Sequence, residues 1–272
     1  NRFCYFTASL QEAAQTRLKL SRELREGVAG NQFTAHFQPI VELSSGRIHK
    51  AEALLRWQHP TRGLVDPMSF IPLAEETGLI NAIGEWMFSE SARRAKGWSG
   101  PFGADFQVSV NLSPVQFRAA GRMQTEAWLN HLQVIRLSGA NLIVEITESL
   151  LLNVHADVTN LLFRVRDAGI QIAIDDFGTG YSSLSYLKQF PIDYLKIDRS
   201  FVRDIETDPN DMALSRAIIV MAHELGLKVI AEGVETEGQR SLLAAAGCDY
   251  AQGYLFAQPL PPDAFESLLR GG

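Results

Sequence analysis

The stretch "DAGIQIAIDDFGTGYSSL", Asp167–Leu184, decides how this chain is read. Gly169 stands where a helix C-terminal glycine belongs, because the left-handed backbone that ends many helices suits glycine. The apolar run at 171–176 follows, continuous as in a strand covered by protein on both faces. It stops on two adjacent carboxylates, Asp175 and Asp176, and then on Gly178 and Gly180. The same order recurs downstream, where Gly226 and Gly247 each sit just before another apolar run.

Outward from this unit the chain alternates strand and helix. β-rich runs fall at 35–43, 50–57, 106–113, 142–148, 171–176, 194–198, 228–232 and 250–256. Helical periodicity falls between them at 81–96, 122–136, 155–168, 211–225 and 236–246. About eight strands alternating with helices predict an α/β fold, a (β/α)8 TIM-type barrel. A doubly wound open sheet is the alternative, but no Gly-x-Gly-x-x-Gly follows the first strand. Residues 1–30 differ: Leu10, Ala14, Leu18, Leu24 and Val28 recur at helical spacing among charged residues. They predict an N-terminal linker helix ended by Gly27 and Gly30, with Arg2–Phe6 as the end of an upstream strand. The expected division is therefore 1–30 as linker and 31–272 as barrel.

Composition narrows the function classes. The chain has 272 residues, 46% hydrophobic and 21% charged, close to the globular average. A net charge of -6 gives no support to a DNA-binding surface. The longest apolar stretches, such as 217–222, fall far short of the ~20 residues a membrane span needs. The expectation is no membrane contact by this segment. Cys4 and Cys248 match no zinc or redox spacing and read as reduced thiols of a cytoplasmic protein. The chain begins at Asn1, so it reads as a fragment whose parent has room for a membrane anchor.

Barrel enzymes carry their chemistry at the C-terminal ends of the strands. Here nearly every strand delivers a polar residue there: Glu52, Asn111, Glu145 and Glu148, Asp175 and Asp176, Lys196 and Asp198, Glu232 with Glu235 beyond it, and Gln252. A lone buried glutamate is more often a structural ion pair. A set this acidic outnumbers the basic partners in the strands, Lys196 and Arg56. Divalent cations resolve the excess, and hard oxygen donors suit Mg²⁺ or Mn²⁺ rather than zinc. Successive strand residues face opposite sides, so Asp175 and Asp176 share one site only if the strand breaks, which Gly178 and Gly180 would allow. Adjacent carboxylates at a strand end fit a two-metal centre that cleaves phosphoesters. Alternation also puts Arg56 on the face of Glu52, where its guanidinium fits a phosphate; a rim salt bridge is the structural alternative. Trp57 and Phe70 are candidates to stack on a base, with core packing as the simpler reading.

Eight short motifs, in order, resemble those of EAL-domain cyclic-di-GMP phosphodiesterases. They are "QPIV" (Gln38–Val41), "EALLRW" (Glu52–Trp57), "NLSP" (Asn111–Pro114), "EITES" (Glu145–Ser149), "DDFGTGYSSL" (Asp175–Leu184), "KIDRSFV" (Lys196–Val202), "EGVET" (Glu232–Thr236) and "QGYLFAQPL" (Gln252–Leu260). The resemblance implies a modified barrel whose first strand is antiparallel. It implies Glu52, Asn111, Glu145 and Asp175 as ligands of one metal, and Asp175, Asp176 and Glu232 as ligands of a second. Lys196 would hold the attacking water. Glu148 would brace the loop at 177–183 and couple it to dimer contacts. Gln38, Arg56, Pro114, Asp198, Glu235 and Gln252 would line the dinucleotide groove.

The activity implied is hydrolysis of cyclic di-GMP to linear 5′-pGpG by a metal-bound hydroxide, with two Mg²⁺ or Mn²⁺ ions. A cyclic-di-GMP receptor with little turnover is the alternative, and an enolase-like Mg²⁺ barrel a remote third. Residues 1–28 also resemble the tail of a GGDEF domain and the helix leading into an EAL domain. The family's habit of pairing through the region after its fifth strand makes a homodimer the expectation.

Overall fold

The computed structural model describes residues 8–117, 121–152, 156–180 and 187–271. The strands are β1 (Phe33–Glu42), β2 (Ile48–His59), β3 (Gly63–Val65), β4 (Gln107–Asn111), β5 (Leu142–Thr147), β6 (Gln171–Phe177), β7 (Tyr194–Ile197), β8 (Lys228–Ala231) and β9 (Tyr250–Ala251). The helices are α1 (Ala8–Ala29), α2 (Pro67–Thr77), α3 (Ile80–Trp98), α4 (Gly121–Ile135), α5 (Glu148–Leu152), α6 (Ala156–Asp167), α7 (Arg199–Val202), α8 (Pro209–Glu224), α9 (Glu237–Ala245) and α10 (Pro262–Gly271). They divide into two compact units. One takes Leu55–Ile83 and the chain up to Thr34; the other takes Ala35–Leu54 and the chain from Gly84 on.

The larger unit is the barrel. Its strands pair in the order β1-β9-β8-β7-β6-β5-β4-β2, and a β1–β2 pairing closes the ring. From β2 through β9 every neighbour is parallel. β1 runs antiparallel to β9, with Val41 opposite Ala251, so the first strand is reversed as expected. Ile40, Ile143, Ala173, Tyr194 and Ile230 fill the barrel's middle. They come from five strands and form a largely apolar layer between the polar residues at the two ends.

The helix end that opens this stretch folds as read. Gly169 has a φ of 83°. Its N–H donates to Arg166 O, and the Ile170 N–H donates to Val165 O, which closes α6 with a Schellman motif. The strand that follows departs from expectation in one respect. β6 continues to Phe177 and breaks at the carboxylates themselves, before the glycines. Ile174 pairs with Leu195, but Phe177 pairs with Ile197, so β6 carries one extra residue against β7. Asp176 takes a φ of 54°, a left-handed conformation that aspartate tolerates better than most residues. This bulge turns two neighbouring carboxylates toward one side.

The smaller unit corrects one further expectation and bears out core packing for Trp57 and Phe70. α1 runs through Gly27 to Ala29, so Gly27 ends nothing. A Cβ there would lie 2.8 Å from Trp57 Nε1, and the glycine serves close packing. Trp57 and Phe70 are fully buried, with ring centroids 5.4 Å apart, and neither is open to a base. α2 was not read from the sequence. Asp66 caps it by accepting the Met68 N–H, and Pro67 opens its first turn, where a missing N–H costs nothing. Cys4 and the segment Arg2–Phe6 lie outside the described residues. Among the described residues no helix is long and apolar enough to cross a membrane.

Candidate active site

One cation organises the C-terminal end of the barrel. Lys196, fully buried on β7, points its Nζ at four carboxylates: Glu232 at 2.6 Å, Glu145 at 2.7 Å, Asp175 at 3.1 Å and Glu52 at 3.6 Å. Ladder register delivers these groups to one level. Glu52 on β2 lies beside Ser109, Asn111 on β4 lies beside Glu145, and Asp175 on β6 lies beside Thr147. Glu232 follows β8 directly, its N–H held by Ile197 O.

Glu52 is anchored on both oxygens. Asn111 Nδ2 donates to Oε1 at 2.6 Å, and Gln252 Nε2 donates to Oε2 at 2.7 Å. Gln252 also donates to Gln38 Oε1 at 2.9 Å, and Gln38 donates to Ala257 O. Both glutamines are buried, and Gln252 links Gln38 to Glu52. Pro114 opens a short 3₁₀ turn after β4. Asp198 lies just past β7, where Oδ1 accepts the Ser200 N–H and caps α7. Glu235 is exposed on the turn beyond Glu232. Arg56 lies on β2 in the smaller unit, where its Nη1 donates to Leu55 O. Glu148 opens α5 and accepts the Gly178 N–H at 3.0 Å. Residues 181–183 of the loop it was expected to brace lie outside the described residues.

Charge is crowded here. Burial works against the Glu52 charge, but Lys196 and the Gln252 and Asn111 hydrogen bonds outweigh it and hold its pKa below the usual range. Glu145 is driven well above that range by burial and then by the Glu52 charge. Burial also raises Glu232, to about 8, with Asp175 and Glu52 adding repulsion. Asp176 is raised by burial and by Asp175. Burial disfavours the Lys196 ammonium, yet Asp175, Glu145, Glu232 and Glu52 together push its pKa well up.

The donor set fits hard divalent cations. One carboxylate oxygen from each of Asp175, Asp176 and Glu232 lies within 4.8 Å of the others. Glu145 Oε1 is buried with no hydrogen-bond partner among the described residues. Such an oxygen is costly unless something positive meets it. The ligands on offer are carboxylates and amides, without sulfur or imidazole.

Sequence reasoning missed one polar layer of the same barrel. Lys50, Gln107, Gln171 and Tyr194 each stand two or four residues before a residue of this site on their strands. Together they close the opposite end. Stepping the strand period of two back from Glu52, Asn111, Asp175 and Lys196 would have found them.

Comparison with known proteins shows the family. Over 266 residues the chain is 42% identical to "Bifunctional diguanylate cyclase/cyclic di-GMP phosphodiesterase MucR" of Pseudomonas aeruginosa, covering 97% of this chain and 38% of that protein. It is 40% identical to "Cyclic di-GMP phosphodiesterase NbdA" of the same organism, covering 98% of this chain and 34% of that protein. The chain thus spans little more than a third of these relatives. The solved MucR phosphodiesterase in complex with c-di-GMP superposes with a TM-score of 0.86 at 42% identity, covering 91% of this chain and 99% of that one. The family model described as "EAL domain" matches residues 21–259, and the chain belongs to that family.

Proposed function

We propose that this domain hydrolyses one phosphodiester bond of cyclic di-GMP to give linear 5′-pGpG. The observation that carries the reading is the convergence of four carboxylates from separate strands on Lys196. The names of the MucR and NbdA relatives, and the c-di-GMP complex of the MucR domain, support the choice of substrate.

Glu52, Asn111, Glu145 and Asp175 would hold one cation, and Asp175, Asp176 and Glu232 a second, with Mg²⁺ or Mn²⁺ as the fitting ions. When bound, such ions lower the pKa of water and stabilise charge on phosphoryl oxygens. The chain's own residues do the rest. Lys196, kept protonated by its acids, donates to the attacking water and orients it. Glu232, 2.6 Å from Lys196 Nζ, is the candidate to receive that water's proton, a task that Lys196 or bulk water would share where Glu232 binds a cation. The water oxygen would bond to phosphorus as the bond to the 3′ oxygen breaks, and the leaving oxygen would take up, directly or through solvent, the proton that the water gave up. Arg56 would hold a phosphate, and Gln38, Pro114, Asp198, Glu235 and Gln252 would border the dinucleotide. Glu148, through its bond to Gly178, would tie the site to contacts between two copies in a homodimer. The parent chain would carry an upstream GGDEF domain, in keeping with the diguanylate cyclase named for the MucR relative, and the domain would work in the cytoplasm.

The test is chromatography of cyclic di-GMP incubated with the domain in Mg²⁺, in Mn²⁺ and in EDTA. The expected outcome is pGpG that EDTA abolishes and that Glu52→Ala lowers by about 10³-fold or more. Binding without product would mean a receptor, and full activity in Glu52→Ala would discard the assigned ligand set.

A further inference from the structure

Three loops at the C-terminal end of the barrel are hydrogen-bonded to one another, and one buried side chain bonds to two of them. Gln239, 4% exposed, belongs to the first turn of α9. Its Oε1 accepts the Glu235 N–H at 2.7 Å and the Thr236 N–H at 3.1 Å. Its Nε2 donates to Arg203 O at 3.0 Å, in the segment that begins at Asp198. Thr236 and Gln239 form a capping box, which by itself explains only the helix start. The bond to Arg203 and the second accepted N–H, from Glu235, lie outside that motif.

Neighbouring contacts point the same way. Thr236 Oγ1 donates to Glu206 Oε2 at 2.6 Å, a second tie between the two segments. Gly233 has a φ of 69°, and a Cβ on it would lie 2.6 Å from Arg199 Cβ. Val234 N–H donates to Gln252 O at 3.0 Å, and Gln252 in turn anchors Glu52. The backbone of Glu235 is therefore fixed from one side by Gln239, while Glu235 itself extends into solvent.

We propose that Gln239 is a positioning residue for the dinucleotide: it fixes the spacing of Glu235 and Asp198 so that two acidic side chains meet the ligand from one rigid rim. Acidic side chains suit the N–H donors on a guanine edge. The inference rests on the reading of the groove given above. It differs from that reading in assigning recognition to a buried amide that touches no ligand.

The experiment is a double-mutant cycle of Gln239→Ala and Glu235→Ala, read as KM and kcat for cyclic di-GMP and as Kd by calorimetry in EDTA. Gln239→Ala is expected to raise KM and Kd about tenfold with kcat within about threefold, as for loss of positioning rather than chemistry. In the Glu235→Ala background it should add less than about twofold. Gln239→Glu keeps the acceptor for both N–H groups and loses the donor to Arg203. It should show the same rise in KM with the helix start intact, which covers the case of an unfolded alanine variant. Unchanged KM in Gln239→Glu, or full additivity in the cycle, would overturn the proposal. A wild-type domain that neither binds nor hydrolyses cyclic di-GMP would overturn both this inference and the proposed function, whereas wild-type turnover with unaltered variants would overturn this inference alone.

Discussion

The barrel buries a lysine at each end, and the two are treated in opposite ways. At the C-terminal end Lys196 sits among four carboxylates, and its pKa is pushed well up. At the N-terminal end Lys50 meets no carboxylate within ion-pair distance among the described residues. Its Nζ donates to Gln107 Oε1 and, at 3.2 Å, to Tyr194 OH, and it lies 5.0 Å and 4.7 Å from the ring centres of Tyr194 and Tyr250. Burial lowers its pKa to about 8, against weaker pulls from Asp105 and Glu42. Both lysines occupy inward positions on parallel strands, with the apolar layer of Ile40, Ile143 and Ile230 between them. What separates them is the chemistry of their neighbours. One end holds more negative charge than it can neutralise and invites cations. The other holds a single charge dispersed over amide and ring groups, and closes the barrel.

Lys196→Met tests the crowded end and should have the largest effect. Removing one partner of a buried ion cluster leaves uncompensated charge and typically costs about 3–5 kcal/mol. In EDTA the variant should unfold in denaturant with a loss of that order. Mn²⁺ should narrow the gap, because added positive charge meets the same oxygens. Turnover should fall by about 10²–10³-fold even with metal present. A variant as stable as wild type in EDTA would show that the four acids do not depend on the ammonium in solution.

Lys50→Met should do the reverse at the closed end. Replacing a buried charge by an apolar side chain of similar length is often neutral or stabilising by about 1–4 kcal/mol. Turnover should be unaffected. The pH dependence carries the sign. A lysine whose folded pKa is depressed binds its proton more weakly in the native state. Its cost is therefore fully present below pH 8 and is relieved as pH rises from about 8 toward 10.5. Wild-type stability should gain up to about 3 kcal/mol relative to Lys50→Met across that window. Denaturant midpoints at pH 7 and pH 10 that move in parallel for the two proteins would remove Lys50 from the account.

The contrast also shows which parts of the molecule its sequence makes legible. Apolar runs separated by helix-ending glycines are local signals, and they sufficed for the alternating strands and for Gly169, Gly226 and Gly247 as left-handed helix ends. The acids at the strand ends stood out because charge in an apolar run is rare. Lys50, Gln107, Gln171 and Tyr194 were as regularly placed but sit at strand starts, where polar residues attract no notice. The bulge at Asp176 was hidden for another reason. It depends on the register of β6 against β7, a pairing between chain segments that no run of residues states by itself. The reversed first strand came from resemblance, since a strand carries no mark of its direction. Gly27 misled because a glycine near a helix end reads as a stop, whereas its cause is Trp57, thirty positions downstream in the fold's smaller unit.

The smallest effect is expected at the rim of the closed end, where charge is paired in the ordinary way. Asp249, just before β9, accepts from Lys228 Nζ at 2.7 Å, pairs with His223 Nε2 at 2.8 Å and accepts the Val229 N–H at 2.9 Å. Burial alone would raise its pKa, but the bonds from Lys228, His223 and Val229 outweigh burial and hold it below the usual range. A carboxylate with a depressed folded pKa stabilises the native state above its unfolded pKa, near 4, and that stability is lost as pH falls through the folded value. Asp249→Asn should therefore cost about 1–2 kcal/mol at pH 7, with the deficit shrinking below about pH 4. A loss at pH 7 larger than that of Lys196→Met in EDTA would reverse this order. That result would mean that ordinary rim pairing, rather than the crowded acids, carries the larger share of the barrel's electrostatic stability.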